Sequence, residues 1–131
     1  MKRIIPEIYV NNCKEALEYY KEVFGGEIKN VQMSDGKEMF KGIEGKVIHS
    51  ELHVNADCII YFVDIFEGQK SEDANHLLLE LDSEEEINKV YQGLIKNGYA
   101  AFELQKTFWG ALHAVVTDRY GNIWGLNYSE R

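Results

Sequence analysis

Two stretches decide the fold of this chain: Ile5-Pro6-Glu7-Ile8-Tyr9-Val10-Asn11-Asn12 and His76-Leu77-Leu78-Leu79-Glu80-Leu81-Asp82-Ser83. Each is a short apolar run that ends at Asn, Asp or Ser, and a helical pattern follows each of them. An offset of 71 residues aligns the two helices and pairs Ala16 with Ile87, Tyr20 with Tyr91, Val23 with Leu94 and Phe24 with Ile95. The second half of the chain therefore repeats the first. Two copies of one unit are expected to pack around a pseudo-twofold axis, with a site at the seam.

The bulk composition is that of a small globular protein. The chain has 131 residues, of which 45% are hydrophobic, so we expect one domain, residues 1–131, with a real core. No apolar run approaches the roughly 20 residues that span a bilayer. The amino-terminal residues carry charge but no long apolar segment, so they do not form a secretory signal. These features predict a cytoplasmic protein with no membrane partner.

The charge argues against a nucleic-acid partner, and the cysteines argue against a disulfide or metal framework. The net charge is −8, and a nucleic-acid partner would need a basic surface. Only two cysteines occur, Cys13 and Cys58, without the spacing of a disulfide or metal framework. Both are expected to be reduced, and Cys13 is interpreted as a small buried residue at a helix start.

Module one is predicted to span residues 1–66. Residues 3–10 alternate as a strand, and Asn11 or Asn12 can cap a helix that runs to Phe24 and ends at two glycines. A second strand is predicted over residues 27–31, and residues 34–45 form turns. A hairpin then pairs residues 47–54 with residues 58–66.

Residues 67–75 are the one linker-like stretch, and module two is predicted to span residues 76–131. Its elements follow the same order, ending in a second hairpin. They are a strand 76–81, a helix 83–97, a strand 100–105 and a hairpin of residues 111–117 with 123–128. Each module is therefore β-α-β-β-β, and the fold class is α+β.

Several matches in the same order resemble one known superfamily. They are residues 9–12, Ala16-Leu17-Glu18-Tyr19-Tyr20-Lys21-Glu22-Val23-Phe24-Gly25-Gly26, His49-Ser50-Glu51-Leu52, Phe108-Trp109-Gly110, and Asp118-Arg119-Tyr120-Gly121-Asn122-Ile123-Trp124-Gly125-Leu126. Together with the paired modules they resemble the vicinal oxygen chelate superfamily of glyoxalases, bleomycin-resistance proteins and dioxygenases, closest to its PhnB-like branch. The resemblance covers nearly the whole chain. It implies a glyoxalase-like cup of curved mixed sheet, a cleft for a small ligand, and a homodimer.

The resemblance also implies where a divalent metal would be held, on two strands of each module. In this sequence those positions read Ile5, Tyr61 (or Ile60 if the hairpin register slips), His76 and Gly125. Isoleucine and glycine supply no ligand atom, and tyrosine is a poor ligand because its phenol has a pKa of about 10. We therefore expect no metal and no other cofactor at the standard site.

A displaced metal site is the alternative. His49, Glu51 and His53 lie on one face of a strand, with His113 at the matching place in module two and His76 on another strand. Residues at i and i+4 on a strand lie roughly 13 Å apart, too far to share an ion without neighbours. A half-solvated hairpin would show the same pattern.

Further candidates would bind a ligand without a metal. Glu7 shares the face of Ile5 and could act as a general base, or pair with a lysine at the rim; Glu51 is similar. A carboxylate beside apolar walls has a raised pKa, as a general base requires. Trp109 could stack on a flat ligand or pack in the core, and His76 could bind substrate or only bond to backbone.

Two hypotheses of function follow. The first is a metal-free protein that binds a small molecule in its cleft, with Glu7, His49, Glu51, Tyr61, His76, Trp109 and His113 as candidate ligand-binding residues. The second is a lyase, isomerase or dioxygenase that uses a displaced metal or Glu/His acid–base chemistry. No catalytic residue is assigned from sequence.

Overall fold

The computed structural model describes residues 2–66, 76–107 and 110–129. The chain forms two compact units, residues 1–71 and 72–131, which contain module one and module two respectively. The predicted linker, residues 67–75, lies outside the described residues.

Both modules have the predicted sequence of elements. In module one these are β1 (Glu7–Val10), α1 (Cys13–Phe24), β2 (Glu27–Met33), a one-turn 3₁₀ helix (Glu38–Phe40), β3 (Val47–Asn55) and β4 (Cys58–Asp64). In module two they are β5 (His76–Glu80), α2 (Glu84–Ile95), β6 (Tyr99–Lys106), β7 (Ala111–Thr117) and β8 (Ile123–Ser129).

The two sheets share one topology. Module one has the strand order β1-β4-β3-β2 and module two has β5-β8-β7-β6. In each sheet the first strand pairs in parallel with the last, and the other pairs are antiparallel. The predicted α+β fold with two βαβββ modules is confirmed.

Helix α1 packs its apolar stripe on one face of its sheet. Ala16, Leu17, Tyr20 and Val23 are buried, at the spacing that places residues on one side of a helix. The Tyr20 ring stacks on Phe62 of β4 with the ring centroids 4.7 Å apart. This contact fixes which face of the sheet the helix covers.

Helix α2 follows the same plan in module two. Ile87, Val90 and Leu94 are buried along one side of the helix, which contacts β6, β7 and β8. Trp124 and Leu126 of β8 are fully buried as well. Each module therefore has an apolar core between its helix and one face of its sheet.

One glycine after each helix permits the chain to pass close to the sheet. A Cβ on Gly26 would lie 2.2 Å from the backbone oxygen of His53, and one on Gly98 would lie 2.3 Å from that of Thr117. His53 and Thr117 occupy equivalent places in β3 and β7. No side chain larger than hydrogen fits at either point without backbone movement.

The start of α1 differs from the prediction. Asn12 does occupy the N-cap position, with a φ of 53°, but its side chain makes no capping bond to the helix. The carboxylate of Asp64 instead accepts hydrogen bonds from the amides of Cys13 and Val47, at 2.8 and 2.7 Å. This helix is capped by a residue distant in sequence, which a local pattern cannot show.

The start of α2 has an ordinary local cap. Ser83 Oγ accepts a hydrogen bond from the Glu86 amide at 3.0 Å, and the Glu86 carboxylate accepts one from the Asp82 amide at 2.8 Å. Such reciprocal bonds satisfy two donors at a helix terminus.

The first strand is shorter than predicted. It begins at Glu7 rather than at residue 3, and it lies at the edge of its sheet. Pro6 has no N–H to donate to the ladder, although its carbonyl accepts a bond from the Tyr61 amide at 2.9 Å.

Asp118 does more than turn the last hairpin. It is buried, and its carboxylate accepts hydrogen bonds from the amides of Tyr120 and Asn122 and from the Trp124 indole, the last at 2.7 Å. The predicted turn residue therefore also anchors the largest side chain of the module-two core.

Across the described residues, no helix combines the length and apolar character that a membrane crossing requires.

Candidate functional site

The polar candidates of module one lie on the sheet face opposite α1. Strand alternation directs Ser50 and Leu52 of β3 toward the helix, and both are fully buried. His49, Glu51 and His53 therefore point to the other side. We call these three residues the imidazole–carboxylate cluster.

Glu51 holds the cluster together. Its Oε2 lies 2.6 Å from His49 Nε2, and its Oε1 lies 2.6 Å from His53 Nε2. The two histidines are thus four residues apart on the strand but meet at the carboxylate between them. Both oxygens of Glu51 are engaged by this arrangement.

The environment of Glu51 lowers the pKa of its carboxyl group, whereas a general base needs a raised pKa. Hydrogen bonds from His49 and His53 lower the pKa of Glu51 to about 2, against the effect of burial, and Asn30 adds a further bond. The raised pKa expected for a carboxylate beside apolar walls is therefore wrong for Glu51. At neutral pH this group is a fixed negative charge.

Tyr61 and Glu7 lie beside the cluster. Tyr61 of β4 is the register partner of Glu51 in β3 and of Glu7 in β1. The His49 ring meets the Tyr61 ring edge-on, with centroids 4.7 Å apart. Glu7 is exposed. Four of the predicted site residues, Glu7, His49, Glu51 and Tyr61, are therefore on neighbouring strands of one sheet face.

In module two, His76 lies near Gly125. A Cβ added to Gly125 would lie 3.4 Å from His76 Nε2 and 3.0 Å from Leu78 Cδ1. His76 and Leu78 are both exposed. The two positions that the resemblance assigns to a metal in this module thus supply one imidazole and no second ligand atom.

His113 belongs to a separate hydrogen-bonded row. Its Nδ1 lies 3.2 Å from Asn127 Oδ1, and Asn127 Nδ2 donates to a Glu80 oxygen at 3.4 Å. The Phe102 ring stands edge-on to His113 at 5.8 Å. Three neighbouring strands contribute to this row.

The residues present do not fit the divalent metal that the resemblance implies. Ile5 and Gly125 offer no donor atom, and the described residues contain no group of three His, Cys, Asp or Glu side chains placed to hold an ion. In the cluster, both Nε2 atoms face Glu51 rather than a common centre.

The remaining candidate residues are the two cysteines and Trp109. Burial raises the pKa of the Cys13 thiol to about 12, so it is not an activated thiol, and Cys58 is exposed. The candidate Trp109 lies outside the described residues.

Sequence reasoning missed Asn30 and Asn127. Asn30 has a φ of 54° at an irregularity in β2, a conformation in which Asn is favoured, and from there it reaches Glu51. Asn127 is an ordinary strand residue whose role depends on its partners on β5 and β7.

The paired βαβββ modules and their polar sheet faces define a glyoxalase-type fold. The sequence model of the Glyoxalase/Bleomycin resistance protein/Dioxygenase superfamily matches residues 4–126. The chain belongs to this superfamily.

Similar proteins support the same assignment. The curated protein YjdN of Escherichia coli K12 is 23% identical over 91% of this chain and 89% of its own length. The crystal structure of protein PA1353 from Pseudomonas aeruginosa has a TM-score of 0.87 and 25% identity, covering all of both chains. A Bacillus cereus structure described as a putative 3-demethylubiquinone-9 3-methyltransferase, PhnB protein, has a TM-score of 0.73 and 22% identity, covering 98% of this chain and 100% of its own.

Proposed function

We propose that this chain is a metal-independent protein that binds a small molecule against the sheet face carrying Tyr61 and the imidazole–carboxylate cluster. The observation that supports it best is the state of Glu51. Its two oxygens are bonded to His49 and His53, so it serves the protein as an organising charge and not as a metal ligand.

The four superfamily ligand positions support the absence of a metal. Chelation at those positions would need donor atoms where this chain has Ile5 and Gly125. His76 alone would bind a divalent ion weakly. The other candidates, Glu7 in module one and His76, Trp109 and His113 in module two, are proposed as ligand-binding residues of their own modules rather than as chelators.

Metal analysis of protein purified without a histidine tag tests the first half of the proposal. We expect less than stoichiometric Zn, Ni, Mn and Fe after purification, and no thermal stabilisation by added metal. A stoichiometric ion that is lost in a His49→Asn/His53→Asn double variant would contradict the proposal and establish the displaced site.

A thermal-shift screen tests the second half. Compounds that stabilise the wild type are compared on Tyr61→Ala and Trp109→Ala, with Tyr99→Ala as the matched control because Tyr99 is an exposed aromatic residue on β6. We expect Tyr61→Ala to lose the shift and the control to keep it, and a loss in Trp109→Ala would add Trp109 to the ligand-binding residues. Equal shifts in all three variants would contradict binding at this site.

An enzyme is the second candidate. A carboxylate that orients an imidazole is an arrangement used in general acid–base catalysis, and the cluster contains two such pairs. Turnover of a screened compound that disappears in His49→Asn or His53→Asn while binding persists would favour a lyase or isomerase over a binding protein.

Assembly and location follow from the resemblance. We propose a homodimer in the cytoplasm without a nucleic-acid or membrane partner, because superfamily members of this kind are usually dimers and the chain is acidic. Size-exclusion chromatography with light scattering measures the molar mass in solution. A monomer at micromolar concentration would contradict the proposed dimer.

A further inference from the structure

The imidazole–carboxylate cluster fixes the positions of its own protons. An ionised carboxylate has acceptors only, so a hydrogen bond to it requires a proton on the other partner. Glu51 is ionised at neutral pH and meets an Nε2 atom on each side, at 2.6 Å. Both histidines must therefore carry a hydrogen on Nε2.

A neutral imidazole protonated on Nε2 has its lone pair on Nδ1. Among the described residues, neither histidine makes another hydrogen bond, and no buried side-chain nitrogen or oxygen lacks a partner. The side chains of His49 and His53 are 28% and 24% exposed. Their Nδ1 atoms are therefore accessible acceptors.

Glu51 is the shielded member of the cluster. Its side chain is 11% exposed, and it has two histidines and Asn30 as partners. A ligand would meet the histidines before it met the carboxylate. This separates the residue that sets the geometry from the residues that make contact.

We propose that Glu51 is a positioning residue that holds His49 and His53 as Nε2–H tautomers, and that their Nδ1 atoms bind a ligand through its hydroxyl or ammonium hydrogens. The ligand class rests on the proposed function, whereas the tautomer assignment does not. With both histidines neutral the cluster carries the single negative charge of Glu51, which disfavours a carboxylate or phosphate ligand.

The neighbouring charges agree with a donor ligand. Glu7 is the register partner of Tyr61, and Glu27 is that of His53. Lys29 is the register partner of Glu51, and its Nζ lies 3.7 Å from Glu27 Oε2. On these strands the acidic groups around the cluster outnumber the basic ones.

Nitrogen-15 NMR of the histidine rings tests the tautomers, with signals assigned through His49→Asn and His53→Asn. The spectra are taken at about pH 8, above the ordinary imidazole pKa of about 6.5. We expect protonated Nε2 and unprotonated Nδ1 at both residues in the wild type. A protonated Nδ1 at either residue would overturn the assignment.

Glu51→Gln is the diagnostic variant. The amide has one acceptor oxygen and one donor NH₂, so it can bond to one Nε2–H, and the other imidazole must offer a lone pair at Nε2. We expect one histidine to switch to the Nδ1–H tautomer. Glu7→Gln, on the same face but outside the cluster, should leave both unchanged; unchanged tautomers in Glu51→Gln would overturn the positioning role.

Three small probes that share a benzene ring test the ligand class: phenol, benzylamine and benzoate. In NMR titrations to millimolar concentration, phenol and benzylamine should shift the His49 and His53 ring signals, and the shifts should fall at least severalfold in Glu51→Gln. Benzoate should not shift them. Stronger shifts with benzoate, or none with any probe, would overturn the ligand class and leave the tautomer result standing.

Discussion

Modules one and two have the same framework but different chemistry on the sheet face opposite the helix. Strand order, pairing and the close glycine contact are repeated in both modules. At equivalent places, however, Glu51 corresponds to Val115 and Tyr61 to Gly125. The helix-facing side is constrained by packing in both copies. On the other side the duplicated strands have different residues.

Equivalent histidines show how far this difference extends. His49 directs Nε2 at a carboxylate, whereas His113 directs Nδ1 at Asn127 Oδ1. Because Asn127 Nδ2 donates to Glu80, its oxygen is the acceptor, and His113 carries its proton on Nδ1. The same residue at the same register position thus directs opposite ring nitrogens at its partner.

The shared framework is tested first by its glycines. Gly26→Ala and Gly98→Ala each place a methyl group against a backbone oxygen, so we expect each to lower the free energy of unfolding by upwards of about 3 kcal/mol. Urea unfolding measures the loss. Gly125→Ala is the control: its closest contacts are the ends of the Leu78 and His76 side chains, and the backbone atom Leu78 Cα lies 3.8 Å away, so it should cost less than about 1 kcal/mol. Similar losses at all three sites would contradict the shared contact.

The buried aspartates distinguish the modules. Asp118→Ala removes the acceptor for two amides and the Trp124 indole, and it should lower the free energy of unfolding by about 3 kcal/mol. Asp64→Ala leaves two amides without their acceptor, and it should lower the free energy of unfolding by about 2 kcal/mol. Urea unfolding curves measure both losses of unfolding free energy. Amide hydrogen exchange should rise in α1 only for Asp64→Ala; faster exchange in both helices with either variant would contradict separate roles.

Acid unfolding tests Glu51 against Val115, the residue at the equivalent place in module two. The pKa of Glu51 is about 2 in the folded protein and about 4.3 in an unfolded chain. Its stabilisation is therefore complete above about pH 4.3 and is lost as the pH falls toward 2. The stability difference between wild type and Glu51→Gln, of about 1 kcal/mol at neutral pH, should shrink over this range. Val115→Ala should give a difference that does not change with pH.

The framework could be predicted because repeated local signals specify it. The spacing of Ala16, Tyr20 and Val23 and the apolar alternation of the hairpins set the elements, and the repeat set their order. Asn12 was predicted correctly at the N-cap position of α1, but its side chain does not make the capping bond, because Asp64 caps the helix from another strand. Nothing local to Asn11 or Asn12 reveals that partner.

The site was predicted as a list of residues but not as a network. Alternation placed His49, Glu51 and His53 on one face, which the structure bears out. The downward shift of the Glu51 pKa depends on two imidazoles that both point at its carboxylate, and on a hydrogen bond from Asn30 on the neighbouring strand. Rotamers and cross-strand partners decide such effects, and a one-dimensional pattern does not contain them.

The two helix caps also set when each helix can be completed during synthesis. The Ser83 cap of α2 closes over 3 residues, so it can form as soon as that segment leaves the ribosome. The Asp64 cap of α1 spans 51 residues and must wait for β4 to be made. A peptide of residues 82–98 would carry its cap with it, whereas a peptide of residues 11–26 would not. The first helix to be synthesised is thus the one whose amino terminus depends on later chain.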